Sequence, residues 1–195
     1  MVLYLDTETS GYYPGEICEL SYIMQTKESV VAKNFFFSVS KVDYGAYLVH
    51  GFSKDKLSVL SKGKRFSDFI DEIGDDMLNA DLIVTHNTSF DFMFLRKEFE
   101  RAGRVFFVKD SFCTMKGTVG LCKLSRVGGG YKYPKLSELC SFLDVTEKEI
   151  GDVTEKLFGA DLSYHDARFD TAAVYLIANK GIETSGVFDK IANSL

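Results

Sequence analysis

The stretch DLIVTHNTSFDFMFLRKEFERAG, residues 81–103, changes its rule of construction half-way along. DLIVTH (81–86) is a short run rich in apolar and β-branched residues, the pattern of a buried strand. From about Thr88 to Ala102 the residues Phe92, Leu95, Phe99 and Ala102 recur on one side of a helix, and Gly103 follows, a residue suited to the left-handed exit. The next run, VFFVKD (105–110), reads as a further strand. Strand, helix and strand in succession predict an α/β layer arrangement rather than an all-β barrel.

Upstream the pattern is different. VLYLDTE (2–8), ICELSYIMQ (17–25) and VVAKNFFFSV (30–39) read as three strands, with YYPGE and QTKES between them as turns, so an antiparallel meander precedes the α/β part. SKDKLSVL reads as a short helix capped by Ser53, and RFSDFIDEIGDDML as an amphipathic one with Phe66, Phe69, Ile70, Ile73 and Met77 inward. Downstream, Phe112 to Val127 predicts a helix or broken helix and GGGYKYP a flexible connection, because three consecutive glycines weaken any regular element. PKLSELCSFL starts another helix with Pro134 near its first turn, and Ser163 to Asn179 makes the last long one, with Phe169, Ala173, Leu176 and Ile177 as its apolar side.

At 195 residues, 46% apolar, with 17 Phe and 10 Tyr against 2 Pro, the chain suits one well-filled domain over 1–195 and not a disordered one. No apolar run approaches the roughly 18 residues of a membrane span, and the first ten residues carry two carboxylates and no base, unlike a secretory leader. Cys18, Cys113, Cys122 and Cys140 lack CxxC spacing and read as reduced thiols, so the expectation is a cytoplasmic protein with no membrane partner. Net charge is −5, which argues against a broadly basic nucleic-acid binder. Yet Arg101 to Lys135 holds eight Lys or Arg and one acid, a local +7 against −12 elsewhere; this is either a phosphate-binding patch or a solvated loop.

Asp6 and Glu8 stand two apart at the end of an apolar strand and leave its same face. Asp91 falls in the first turn of the helix after the fourth strand, and Asp170 about two turns into the last helix. If the first and fourth strands are neighbours, four acids meet at one end of the sheet. Four ionised carboxylates there repel strongly, and divalent cations relieve that; an oxygen-only donor set suits Mg²⁺ or Mn²⁺. Two such ions can activate water and stabilise a departing phosphodiester oxygen. His165 supplies an imidazole able to take a proton at neutral pH, though it lies about 140° from Asp170 on an ideal helix and has to occupy the helix start. The plain readings stand beside these: a solvated strand end for Asp6 and Glu8, and an N-capping box from Ser163 to Asp166.

Taken together, D6-T-E8, H86-N-T-S-F-D91 and H165-x4-D170, in this order and across nearly the whole chain, resemble the DEDD superfamily of 3′–5′ exonucleases in its histidine-containing DEDDh branch, with the likeness strongest to the epsilon-type proofreading subunits of bacterial DNA polymerase III. AYLVHGFSKDKL and YPKLSELCSFLDV are similar to that family's stretches before its second and last acidic motifs. The resemblance implies a ribonuclease H-like fold with a five-stranded mixed sheet flanked by helices. It also implies release of nucleoside 5′-monophosphates from the 3′ end of single-stranded or frayed DNA, in proofreading or repair. In that scheme, which uses two divalent cations, Asp6, Glu8 and Asp170 hold the catalytic one, Asp6 bridges to the second, Asp91 binds mainly through water, and His165 is the general base. Candidate substrate contacts are Thr7, His50 and Gly51, which match positions seating the terminal nucleotide in relatives. Asn87, which also reads as a helix cap, and Phe90 lie beside the second acidic motif, and Lys132 and Tyr133 belong to the basic stretch. Phe52 stands where the family usually has isoleucine. RNA is the alternative substrate, a non-catalytic nucleic-acid-binding or polymerase-associated subunit the alternative class, and a polymerase the expected partner of a monomer or homodimer. His86 reads as a hydrogen-bonded or ordinary strand-end residue, not a catalytic one.

Overall fold

The computed structural model describes residues 1–159 and 164–195. The three expected strands form β1 (Val2–Thr9), β2 (Ile17–Gln25) and β3 (Val30–Phe36), paired antiparallel in sequence order. Helices α1 (Tyr44–His50) and α2 (Lys54–Leu60) follow, the second capped as its sequence predicts: Ser53 accepts the Lys56 N–H at 3.1 Å. A 3₁₀ turn, Phe66–Phe69, leads into α3 (Ile70–Asn79). The stretch that opened the sequence reading becomes β4 (Leu82–Thr85) and α4 (Thr88–Arg101), and β5 (Ser111–Cys113) closes the sheet. Then come α5 (Thr114–Gly117), α6 (Val119–Cys122), α7 (Leu136–Phe142), α8 (Glu147–Phe158), α9 (Ala167–Thr184) and α10 (Asp189–Ala192). Strand order is β3-β2-β1-β4-β5, with β4 and β5 parallel to β1. This is the expected five-stranded mixed sheet, and it makes the first and fourth strands neighbours.

Strand alternation sends Val2 and Tyr4 to one face with Ile23, Leu82 and Val84, where α7, α8 and α9 cover them with Leu139, Ile150, Phe169, Ala173 and Ile177. Leu3 and Leu5 go to the other face with Leu20, Tyr22 and Ile83, under Ile73 and Met77 of α3 and Phe92, Leu95 and Phe99 of α4. Each large apolar side chain buried this way contributes about 1.5–3 kcal/mol. Helix α9 is built small where it is crowded: a Cβ on Gly181 would stand 2.5 Å from the Phe188 ring, so only glycine fits. No helix among the described residues is long and apolar enough to cross a membrane.

Several expectations are corrected. VFFVKD is not a strand; β5 begins at Ser111, opposite Ile83. Phe106 packs edge-on against Phe92 and Phe99 while Val105 and Phe107 stay exposed, so this segment covers the end of α4 before the chain reaches the sheet edge. The glycines Gly128 to Gly130, all at positive φ, form the tip of a closed hairpin-like turn rather than a loose connection: Arg126 N–H donates to Gly130 O at 3.1 Å and Lys132 N–H to Leu124 O at 2.9 Å. The last helix starts at Ala167, with Asp166 as its N-cap in place of a third-position acid, and Ser163 lies outside the described residues. Helix α8 carries a signal the sequence reading passed over, a Thr146–Glu149 capping box closed by Gly159 in left-handed conformation.

Candidate active site

Because β1 alternates, Asp6 and Glu8 continue the Val2–Tyr4 face, and that face is covered by α9. The first turn of α9 then places Asp170 over them. One carboxylate oxygen from each of Asp6, Glu8 and Asp170 lies within 4.8 Å of the others. Asp91 approaches from the opposite layer, at the first turn of α4, and is 2% exposed. It is outside that trio and is held by Thr7, whose Oγ1 donates to Asp91 Oδ1 at 2.9 Å. Its charge still reaches Asp6 and Glu8.

Packing acids together at a largely buried site favours their neutral forms. Burial, followed by the Asp170 charge, pushes Asp6 well above the carboxylate range and Glu8 up to about 9. Burial likewise raises Asp91 and Asp170 to about 7, with Thr7 pulling the first back and the His165 N–H the second. Asp170 Oδ1 is buried without a hydrogen-bond partner among the described residues, a costly state for a carboxylate that a cation on Asp6, Glu8 and Asp170 would relieve. The residues present therefore fit a divalent-cation centre of hard oxygen donors.

His165 sits just outside the helix, exposed, with φ +69, a left-handed conformation unusual for a side-chain-bearing residue. Its N–H points to Asp170 Oδ2 at 3.3 Å, and a charge on its ring is felt at His50 across the site. The distance around the helix raised by the sequence thus disappears, since His165 is not on the helix.

A cavity of about 280 Å³ opens beside Glu8, lined by Thr7, Tyr12, Asp43, Val49, His50 and Phe90 among others. Three of the candidate substrate residues, Thr7, His50 and Phe90, meet there. The His50 ring lines it without spare polar atoms: Phe52 N–H donates to Nδ1 at 3.0 Å, which leaves Nε2 to donate to Thr9 O at 3.2 Å. Burial accordingly lowers its pKa. Phe52 is buried against His50 and Phe36, so the exchange for isoleucine is absorbed by packing. Gly51 does not line the cavity; it ends α1 at φ +71. Asn87 is the N-cap of α4 but makes no side-chain capping bond. Lys132 is paired with Glu138, while Tyr133 is exposed. His86 is structural, bonded at Nδ1 to Thr114 Oγ1 (2.9 Å) and at Nε2 to Pro134 O (3.1 Å), and burial brings its pKa down to about 4.

Glu19 escaped the sequence reading. It is fully buried, stands opposite Glu8 in the β1–β2 register, and accepts the Ala167 N–H at 3.2 Å. Its signal was an acid in the centre of the otherwise core-like ICELSYI. Burial, then the Asp166 charge, pushes its carboxyl up to about 8, with Arg168 acting against them.

No family model matches the chain. Over 194 residues it is 32% identical to DNA polymerase III subunit epsilon of Salmonella typhimurium strain LT2, covering 94% of this chain and 73% of that protein. Among solved structures it superposes on apo Exonuclease I with a TM-score of 0.69 at 17% identity, covering 98% of this chain but only 44% of that one. It also matches the nuclease domain of 3′hExo, a DEDDh family member bound to rAMP, with a TM-score of 0.54 at 12% identity, covering 93% and 91%. The sheet and its helices are those of the ribonuclease H-like exonucleases. With the epsilon relatives added, at 30–32% identity and with 73% of their length covered, the chain belongs to the DNA polymerase III epsilon family.

Proposed function

We propose that the protein removes nucleotides one at a time from the 3′ end of single-stranded or frayed DNA, releasing nucleoside 5′-monophosphates, as a proofreading or repair activity that works with a DNA polymerase. The observation that carries this is the convergence of Asp6, Glu8 and Asp170 within 4.8 Å, with the Asp170 Oδ1 atom buried and unpartnered, beside the Thr7–His50–Phe90 cavity. The relative's name, a DNA polymerase III subunit, favours DNA and a polymerase partner.

Asp6, Glu8 and Asp170 would hold two divalent cations, Mg²⁺ or Mn²⁺, with Asp91 acting from behind Thr7 and mainly through water. When bound, such ions neutralise charge on the scissile phosphate and on the oxygen that leaves. The chain's own residues do the rest. The cavity takes the terminal nucleoside, the buried faces of Glu8 and Asp91 keep bulk water out, and His165 takes the proton of the attacking water from its exposed position beside Asp170. Water adds to phosphorus, the P–O3′ bond breaks, and the leaving oxygen takes a proton from solvent, so the shortened strand ends in a 3′-hydroxyl.

The test compares 5′-labelled single-stranded DNA, duplex DNA and short RNA with Mg²⁺ or Mn²⁺, with EDTA, and with Asp6→Ala and His165→Ala. Metal-dependent mononucleotide release from DNA ends, abolished by Asp6→Ala and lowered about 100-fold or more by His165→Ala, is expected. Faster release from RNA would reassign the substrate. Binding without release, equal in the variants, would make the protein a non-catalytic binding subunit.

A further inference from the structure

We propose that Glu19 is a positioning residue for this reaction, docking the His165–Asp170 turn beside the strand that bears Asp6 and Glu8 by accepting the Ala167 N–H from the neighbouring β2. The inference rests on the exonuclease reading of the site.

An α-helix begins with N–H groups that have no partner inside it. In α9 the N-cap Asp166 takes the Arg168 N–H at 3.1 Å, leaving that of Ala167 to Glu19 Oε2, which reaches across from β2. One cap therefore belongs to the helix and the other to the sheet, and only the second sets where the helix start stands relative to β1. Arg168 joins the two. Its Nε and Nη2 each lie 2.8 Å from Asp166, Nε is 3.4 Å from Glu19 Oε1 without hydrogen-bond alignment, and the guanidinium lies 5.1 Å over the Phe36 ring.

The register makes the arrangement specific. Glu8 is paired with Glu19 and Asp6 with Ser21; Glu19 holds Ala167 of α9, and Ser21 O accepts the Thr171 hydroxyl at 3.2 Å. The strand partner of each β1 acid thus grips α9, at positions four residues apart that bracket Asp170. Elsewhere α9 meets its neighbours mainly through Ala172, Ala173, Val174 and Ile177, and its other polar contacts, Asn179 with Gln25 and Lys180 with Glu149, are only partly buried. A fully buried glutamate is a costly way to attach a helix that apolar contact attaches well. Its use at this one turn, where the acids converge, is what marks it as positional rather than as general glue.

Three substitutions separate the possibilities. Glu19→Gln keeps an acceptor oxygen at full reach, Glu19→Asp keeps a carboxylate but falls short, and Glu19→Ala removes both. With single-stranded DNA and Mn²⁺, Glu19→Gln should hold kcat within about 3-fold of wild type. Glu19→Asp and Glu19→Ala should lower it about 10- to 100-fold with KM unchanged. In metal-free protein, exchange of the Ala167 amide should speed up at least about 10-fold in the Asp and Ala variants, while the Leu3 to Leu5 amides keep their rates. Wild-type kcat in Glu19→Asp, a loss in Glu19→Gln as large as in Glu19→Ala, or unchanged Ala167 exchange would overturn the proposal. Should Glu19→Ala not fold, the Gln and Asp pair still decides it. A wild-type protein without nuclease activity would sink the exonuclease reading instead, and the exchange experiment would still read the docking.

Discussion

Asp91 and Asp170 occupy the same place in their helices, each in a first turn, yet they arrive from opposite layers of the sheet and are held differently. Asp91, from α4, is almost fully buried and its carboxylate is engaged by the Thr7 hydroxyl. Asp170, from α9, keeps one oxygen buried and unpartnered, and the residue five positions before it is exposed in a left-handed conformation. One acid is satisfied by the protein; the other is left needing a ligand. That difference fits the division in which Asp170 would meet a cation directly and Asp91 mainly through water.

The comparison can be broken in steps. The largest effect is expected from Asp170→Asn: loss of the carboxylate charge beside a cation, worth several kcal/mol, lowers metal-dependent turnover about 1000-fold or more, measured as mononucleotide release. Thr7→Val removes the hydroxyl that donates to Asp91, and kcat should fall only about 10-fold. Equal losses from the two variants would erase the distinction.

A third expectation concerns pH. In metal-free protein Glu8 is raised from 4.5 to about 9, and Asp91 and Asp170 from 3.8 to about 7, chiefly by burial. Groups raised on folding hold more protons in the native state, so their contribution is complete below pH 4 and is lost as pH climbs through 7 to 9. Urea midpoints in EDTA should therefore be lower at pH 9 than at pH 6, and saturating Mn²⁺ should narrow the gap. The smallest effects lie at the caps. Asp166→Ala removes a bond to the Arg168 N–H and should cost about 1 kcal/mol, whereas Asn87→Ala, at a cap without a side-chain bond, should cost less than about 0.5 kcal/mol in chemical denaturation.

Much of this was legible along the chain because it depends on local periodicity. Period two in VLYLDTE put Asp6 and Glu8 on one face, and period 3.6 after Thr88 put Asp91 at a helix start. What misled was context. VFFVKD has the composition of a strand, but Phe106 is used against Phe92 and Phe99. Lys132 is drawn to Glu138, six residues on, across the start of α7. Gly51 and Asn87 belong to the right segments and yet shape backbone rather than the cavity.

By itself the sequence determined the two-part architecture and the faces of its strands and helices, since each follows from side-chain spacing within one element, while the acids and histidine proposed for the chemistry were singled out by the resemblance of their motifs taken together. Only the tertiary structure decided that β1 lies between β2 and β4, that Asp170 keeps an unpartnered oxygen while Asp91 does not, and that Glu19 reaches Ala167. Those facts depend on strand register and on the approach of residues up to 148 positions apart, which spacing within a single element does not encode.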